Sequence, residues 1–163
     1  MKSLVIYYSR SGRTKAVAEF VAHALGGELE EIVETGVNRR GFMGFLRSGR
    51  AAKKGEKSPI EPPKRRPQDF DLTVVGSPVW AGSLVPAVRS YLSSVDLKGK
   101  PVALFCTLGG RGSERTLASM KELASGARLV GELSVSQREF RDRTALGARV
   151  GDWVEGVRTK LQS

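Results

Sequence analysis

Lys2-Ser3-Leu4-Val5-Ile6-Tyr7-Tyr8-Ser9-Arg10-Ser11-Gly12-Arg13-Thr14-Lys15-Ala16-Val17 is the stretch on which the fold turns. Leu4 to Tyr8 is an unbroken run of apolar, β-branched and aromatic residues, as in a strand buried on both faces. Ser9 to Gly12 is small and polar, a turn. Ala16, Val17, Phe20, Val21, Ala24 and Leu25 then recur three and four apart, which predicts a helix. Gly26-Gly27 ends it as a C-cap would.

Outward from this unit the pattern repeats. Glu28–Val33 reads as a weaker strand near an edge, Leu72–Gly76 as a third and Pro101–Cys106 as a fourth. Leu129–Val135 makes a fifth. Pro86 opens a helix where proline is tolerated, with Val85, Val88, Tyr91 and Leu92 on its inner face. Leu117, Met120, Leu123 and Ala124 mark another. Leu146, Val150, Trp153, Val154, Val157 and Leu161 mark the last. Five strands alternating with helices predict an α/β fold: a three-layer, doubly wound sheet of five parallel strands with right-handed crossovers.

The chain has 163 residues, the size of one domain, and 40% of them are hydrophobic. A single domain over residues 1–163 is expected, with a basic insertion or long connection at about 35–68. No apolar stretch approaches the roughly 20 residues of a membrane span, and the N-terminal run is too short for a signal peptide. Cys106 is the sole cysteine, so no internal disulfide forms and a zinc site lacks ligands. A reducing cytoplasm follows as the expected setting.

The net charge of +10 belongs to one region. Residues 39–67 hold ten Lys and Arg against Glu56 and Glu61, a net +8, leaving +2 for the rest. This segment is rich in glycine and proline, and Phe42, Met43, Phe45 and Leu46 within it suggest a short helix or an adhesive patch. Connections of this length in a compact domain are usually functional or mobile. Nucleic acid is disfavoured as a partner, because the segment lacks the periodic aromatics of a base-stacking groove.

In doubly wound sheets, ligands bind beyond the carboxyl ends of the strands. Three loops fall on that edge: 9–14, 77–82 and 107–112, each rich in Gly, Ser or Thr. In the first, small residues let backbone N–H groups turn inward, hydroxyls add donors, and the helix starting near Arg13 contributes its positive end. That is an anion site needing no metal, although an isolated S-x-S-G-x-T would read first as a Ser/Gly turn with a helix cap. The P-loop pattern and the G-x-G-x-x-G fingerprint are both absent after the first strand, and Tyr7-Tyr8-Ser9 offers no acidic pocket for phosphoacceptor chemistry.

Taken together, the three loops resemble those of the flavodoxin family. Residues 9–14 look like its S/T-x-S/T-G-x-T phosphate loop. Val75-Gly76-Ser77-Pro78-Val79-Trp80-Ala81-Gly82, with Pro86 following, looks like the second flavin loop, and Thr107-Leu108-Gly109-Gly110-Arg111-Gly112 is similar to the third. The resemblance covers most of the chain except 35–68 and implies the strand order 2-1-3-4-5. It also implies non-covalently bound FMN, used for electron transfer or for reducing small acceptors.

Carried onto this chain, Ser9, Ser11, Gly12 and Thr14 would hold the phosphate. Residues 77–82 and 107–112 would flank the isoalloxazine, with Trp80 the leading stacking candidate. Arg10 and Arg13 depart from the family pattern, and at least one is expected to pair with the phosphate.

Three functions are left open by the sequence. An electron carrier is favoured, docking a redox partner, acidic in character, near 39–67. An NAD(P)H-dependent FMN reductase of quinones or other small acceptors is the alternative, with the insertion forming a second pocket, often across a homodimer interface. The third is a flavin-free interaction module. Cys106 and Arg111 form C-x4-R, one residue short of the tyrosine-phosphatase loop, and Cys106 is expected in the core. His23 is expected in solvent, opposite the apolar stripe of its helix.

Overall fold

The opening stretch folds as its pattern requires in the computed structural model, which describes residues 1–163. Strand β1 (Ser3–Tyr7) is wholly buried and leads through Tyr8–Gly12 into helix α1 (Arg13–Leu25). Gly26 takes a left-handed conformation (φ 63°) and closes α1, its N–H donating to the His23 carbonyl. Strand β2 (Glu28–Glu31) follows.

After the long connection come β3 (Leu72–Trp80), β4 (Ser83–Leu84), α3 (Pro86–Ser94) and β5 (Pro101–Leu108). Helix α4 spans Ser113–Leu123, strand β6 Arg128–Ser136 and helix α5 Arg143–Gln162.

The main sheet runs β2-β1-β3-β5-β6, all neighbours parallel, with β4 antiparallel to β3 outside that path. Without β4, this is the expected order of five parallel strands. Alternation along β1 divides the core in two. Val5 and Tyr7 pack towards α1 and α5 with Val17, Val21, Leu146 and Val150. Leu4, Ile6 and Tyr8 pack towards α3 and α4 with Val88, Tyr91, Leu92 and Met120.

Two boundaries differ from expectation. Residues 77–80 are strand and not loop: β3 runs on to Trp80, turns at Ala81-Gly82 (φ 48° and 70°) and returns as β4. Positive φ at both turn positions is the geometry that joins two strands with a two-residue loop. Likewise β5 continues through Thr107-Leu108, paired with Val135 and Ser136 of β6. Buried backbone that finds a neighbouring strand keeps its ladder, whatever its side chains suggest.

The connection 35–68 is largely ordered by local structure. Helix α2 (Gly41–Lys53) buries Gly44, Ser48 and Ala52 and leaves Phe42, Met43, Phe45 and Leu46 outside. Small residues on the inner face let α2 lie close to the body. The base of the excursion is clamped where Glu34 bridges Ile60, with the Thr35 N–H donating to Pro59 and the Glu61 N–H to Val33. Beyond α2, the Ser58 N–H donates to Ser90 Oγ on α3 at 2.9 Å. A 3-10 turn, Pro67–Asp69, leads into β3.

Candidate flavin site

The turn after β1 is held by its own side chain, the Gly12 N–H donating to Ser9 Oγ at 3.1 Å. Gly12 is the N-cap residue of α1 in a left-handed conformation (φ 95°), and no side chain caps the helix. The first turn contains no acidic residue, so its free N–H groups and positive end face outward unneutralised. Ser9 Oγ, having accepted, still has its proton to donate. Thr14 is buried, with its hydroxyl 2.8 Å from that of Thr107, which ties the first loop to the end of β5.

The other two loops meet across a glycine contact. A Cβ on Gly112, itself at φ 108°, would lie 2.5 Å from the Cα of Gly82, so only glycine lets them approach this closely. Gly112 also begins α4 with no side-chain cap.

Fourteen of the eighteen expected site residues line one cleft of about 1070 Å³ beyond the strand ends. Ser9, Gly12, Ser77 and Gly112 do not line it. Ser9 and Gly12 shape the first turn, Gly112 sets the loop contact, and Ser77 is buried with its hydroxyl on the Pro78 carbonyl.

The fourth wall is α2, none of whose residues was among the expected site residues, although the reductase alternative expected the insertion to form a second pocket. Phe45, Leu46, Ser48, Gly49, Arg50 and Lys53 all face the cleft. Gly49 brings α2 against the β3–β4 turn, where even an added Cβ would stand 3.5 Å from Ala81 Cβ. The available signal was the apolar group Phe42, Met43, Phe45 and Leu46 with cations one and two turns on.

A polar network fixes that wall. Tyr8 donates its phenol proton to Glu34 Oε1 at 2.6 Å, and Arg39 donates to both Glu34 oxygens at 3.2 and 2.8 Å. Burial would raise the Glu34 pKa, but the hydrogen bonds from Arg39 and Tyr8 outweigh it and hold the carboxyl below its ordinary value. Arg10 donates to the Arg39 carbonyl at 2.8 Å and lies over the rings of Phe45 and Trp80 at 5.5 and 5.7 Å. Arg39 lies over Trp80 at 5.5 Å, and Tyr8 meets Trp80 edge-on at 5.6 Å.

The two loop arginines therefore part company. Arg10 is directed to Trp80 and α2, whereas Arg13 lines the main cleft and an adjoining one of about 380 Å³ with Arg138 and Arg141.

The main cleft is lined by Arg10, Arg13, Arg50, Lys53 and Arg111 and by no carboxylate. None of the five forms an ion pair. Cys106 is buried beneath it, its thiol pushed up to about 12 by burial and by Glu132, so thiolate chemistry is absent at neutral pH. His23 is exposed on α1, as expected.

An uncapped helix N-terminus without acidic residues, beside a cleft walled by Trp80 and Phe45, is the arrangement of an α/β protein that takes a phosphate-bearing ligand such as a nucleotide or flavin. The chain belongs to the flavodoxin family: the family model described as flavodoxin matches residues 2–146. No curated protein is a significant match.

Among solved structures the fold is similar to a Lactobacillus acidophilus flavoprotein in complex with FMN. The two share 24% identity over 93% of this chain and 97% of that one, at a TM-score of 0.72. A Bacteroides eggerthii protein described as a putative flavoprotein gives 22%, 93%, 97% and 0.67 in the same order. A Streptococcus pneumoniae TIGR4 flavodoxin gives 16%, 98%, 99% and 0.61. Family membership and the donor set of the first loop agree on FMN as the cofactor.

Proposed function

We propose that this chain is an FMN-binding redox protein that reduces small acceptors in its cleft, with a nicotinamide dinucleotide as electron source. The observation carrying this reading is the wall made by α2, which encloses space beside the second and third loops. The family and its FMN-bound structural neighbour support the cofactor. Ser9, Ser11 and the N–H groups opening α1 would hold the phosphate, with Arg13 adding charge. Pro78 to Gly82 and Leu108 to Arg111 would flank the ring system. Bound FMN supplies the electron exchange, and the chain supplies binding, orientation and charge.

The test is direct. Purified protein reconstituted with FMN should be yellow, and should oxidise NADH or NADPH in steady state when a quinone is supplied. A colourless protein that cannot be reconstituted would leave the flavin-free interaction module standing instead.

A second reading, electron carriage to an acidic protein partner, is favoured by the outer face of α2. There Phe42 and Met43 are 74% and 62% exposed beside Arg40 and Arg47. The docking patch is narrower than the charge run of 39–67, since Arg39 is paired with Glu34, Arg65 with Glu28 and Arg66 with Asp69. Slow quinone turnover with fast, salt-sensitive transfer to an acidic redox protein would select this reading. A reducing, cytoplasmic setting belongs to either. No helix is long and apolar enough to cross a membrane.

A further inference from the structure

We propose that Arg50 and Lys53 of α2, together with Arg111, form an anion subsite beside the flavin, which selects a second substrate carrying a phosphate or carboxylate group. The inference rests on the FMN reading above and specifies what enters the remaining space.

Position comes first. Gly49 packs on Ala81 and Gly112 packs on Gly82, so α2 and the third loop both close on the tip of the β3–β4 hairpin. Arg50 follows Gly49 directly, Arg111 precedes Gly112, and Lys53 lies one helical turn beyond Arg50. All three line the cleft at this end. Arg13 lies at the uncapped N-terminus of α1, where on the FMN reading the cofactor's own phosphate would be held, and also lines the adjoining cleft with Arg138 and Arg141.

Charge comes second. No carboxylate lines the cleft, and Arg50, Lys53 and Arg111 have no ion-pair partner, although Arg39, Arg65 and Arg66 of the same long connection each have one. An FMN phosphate held at the α1 end would leave these three cations unneutralised. Arginine presents a planar fork that matches carboxylate and phosphate oxygens in pairs. Room comes third: the cleft of about 1070 Å³ lies at the top of the range of about 300–1,000 Å³ for small-molecule sites, and it takes in the α2 wall as well as the loops that would flank the flavin.

The test is calorimetric titration of FMN-loaded protein with inorganic pyrophosphate and, separately, with benzoate. At least one should bind at a single site, and the Arg50→Gln/Lys53→Gln double variant should weaken it about tenfold or more. Arg111→Gln, on a different element, should weaken it several-fold. Lys98→Gln removes the same charge from the opposite end of the sheet and should leave it unchanged.

Pyrophosphate alone would assign the phosphate class, and benzoate alone the carboxylate class. The proposal is overturned if FMN-loaded protein binds neither probe, or if binding is indifferent to all three substitutions. Binding to the FMN-free protein that disappears on loading would also overturn it, since the anion then sits in the phosphate loop. Protein that takes up no FMN, read from its absorption spectrum, instead defeats the cofactor reading itself.

Discussion

At Gly76 a missing side chain decides the packing. A Cβ there would lie 2.0 Å from the ring of Phe105, its partner across the β3–β5 ladder. The ring is fully buried among the residues facing α1 and α5, so it has no room to withdraw. Gly76→Ala should therefore cost about 1–3 kcal/mol or more through overpacking, read as a lower urea midpoint at unchanged slope. An unchanged midpoint would mean that the ring has a second rotamer available.

Glu34 makes a different prediction. Its folded pKa lies below the ordinary carboxylate value, so the unfolded chain binds more protons in the acid range. The stabilisation from its pairing is fully present above about pH 4.3, the unperturbed glutamate value. It is lost as pH falls through the lower, folded value. Urea midpoints followed from pH 7 to acid should drop less steeply for Glu34→Gln than for the parent chain. Parallel curves would show that the Tyr8–Glu34–Arg39 network contributes nothing to stability. The Tyr8–Glu34 pairing joins residues 26 positions apart in sequence, and no periodicity announces it.

Elements with strong internal pattern were readable from the chain, and α2 shows where reading stops. Its inner face is Gly44, Ser48 and Ala52 and its large apolar residues point out, the reverse of an ordinary amphipathic helix. The first loop was legible because phosphate chemistry needs particular residue types in succession. Which residues of the insertion would wall the cleft was not, because packing on Ala81 depends on where the clamp at Glu34 and Ile60 returns the chain. The ends of β3 and β5 were likewise set by neighbouring strands.

The two interior glycines of α2 separate these roles. At Gly44 a Cβ would stand 2.6 Å from the Arg39 backbone, which cannot yield locally, whereas at Gly49 the nearest atom is an ordinary 3.5 Å away. Gly49→Ala should raise stability by about 0.5–1 kcal/mol through helix propensity, and Gly44→Ala should lower it. Thermal melts of the two variants give the comparison. A loss at both sites would mean that α2 needs glycine for closeness along its whole length.

For the whole molecule, the uneven charge sets two opposing responses to salt. The seven ion pairs favour low salt, but all except Arg39–Glu34 are substantially exposed, and such pairs contribute about 0–1 kcal/mol each. Against them stands the self-repulsion of a +10 chain with most of its charge in 39–67 and five unpaired cations around one cleft. Screening acts over about 30 Å at 0.01 M salt and about 10 Å at 0.1 M, so the longer-range repulsion is reduced over that interval while the close ion-pair contacts persist. The FMN-free protein should accordingly gain stability between these two sodium chloride concentrations, seen as a rising urea midpoint. Loading with FMN brings a phosphate dianion to the α1 end of the cleft and should shrink that gain, while raising the midpoint at both concentrations by ligand linkage. A midpoint that falls with salt in the FMN-free protein would mean that the ion pairs, and not the crowded cleft, dominate its electrostatics.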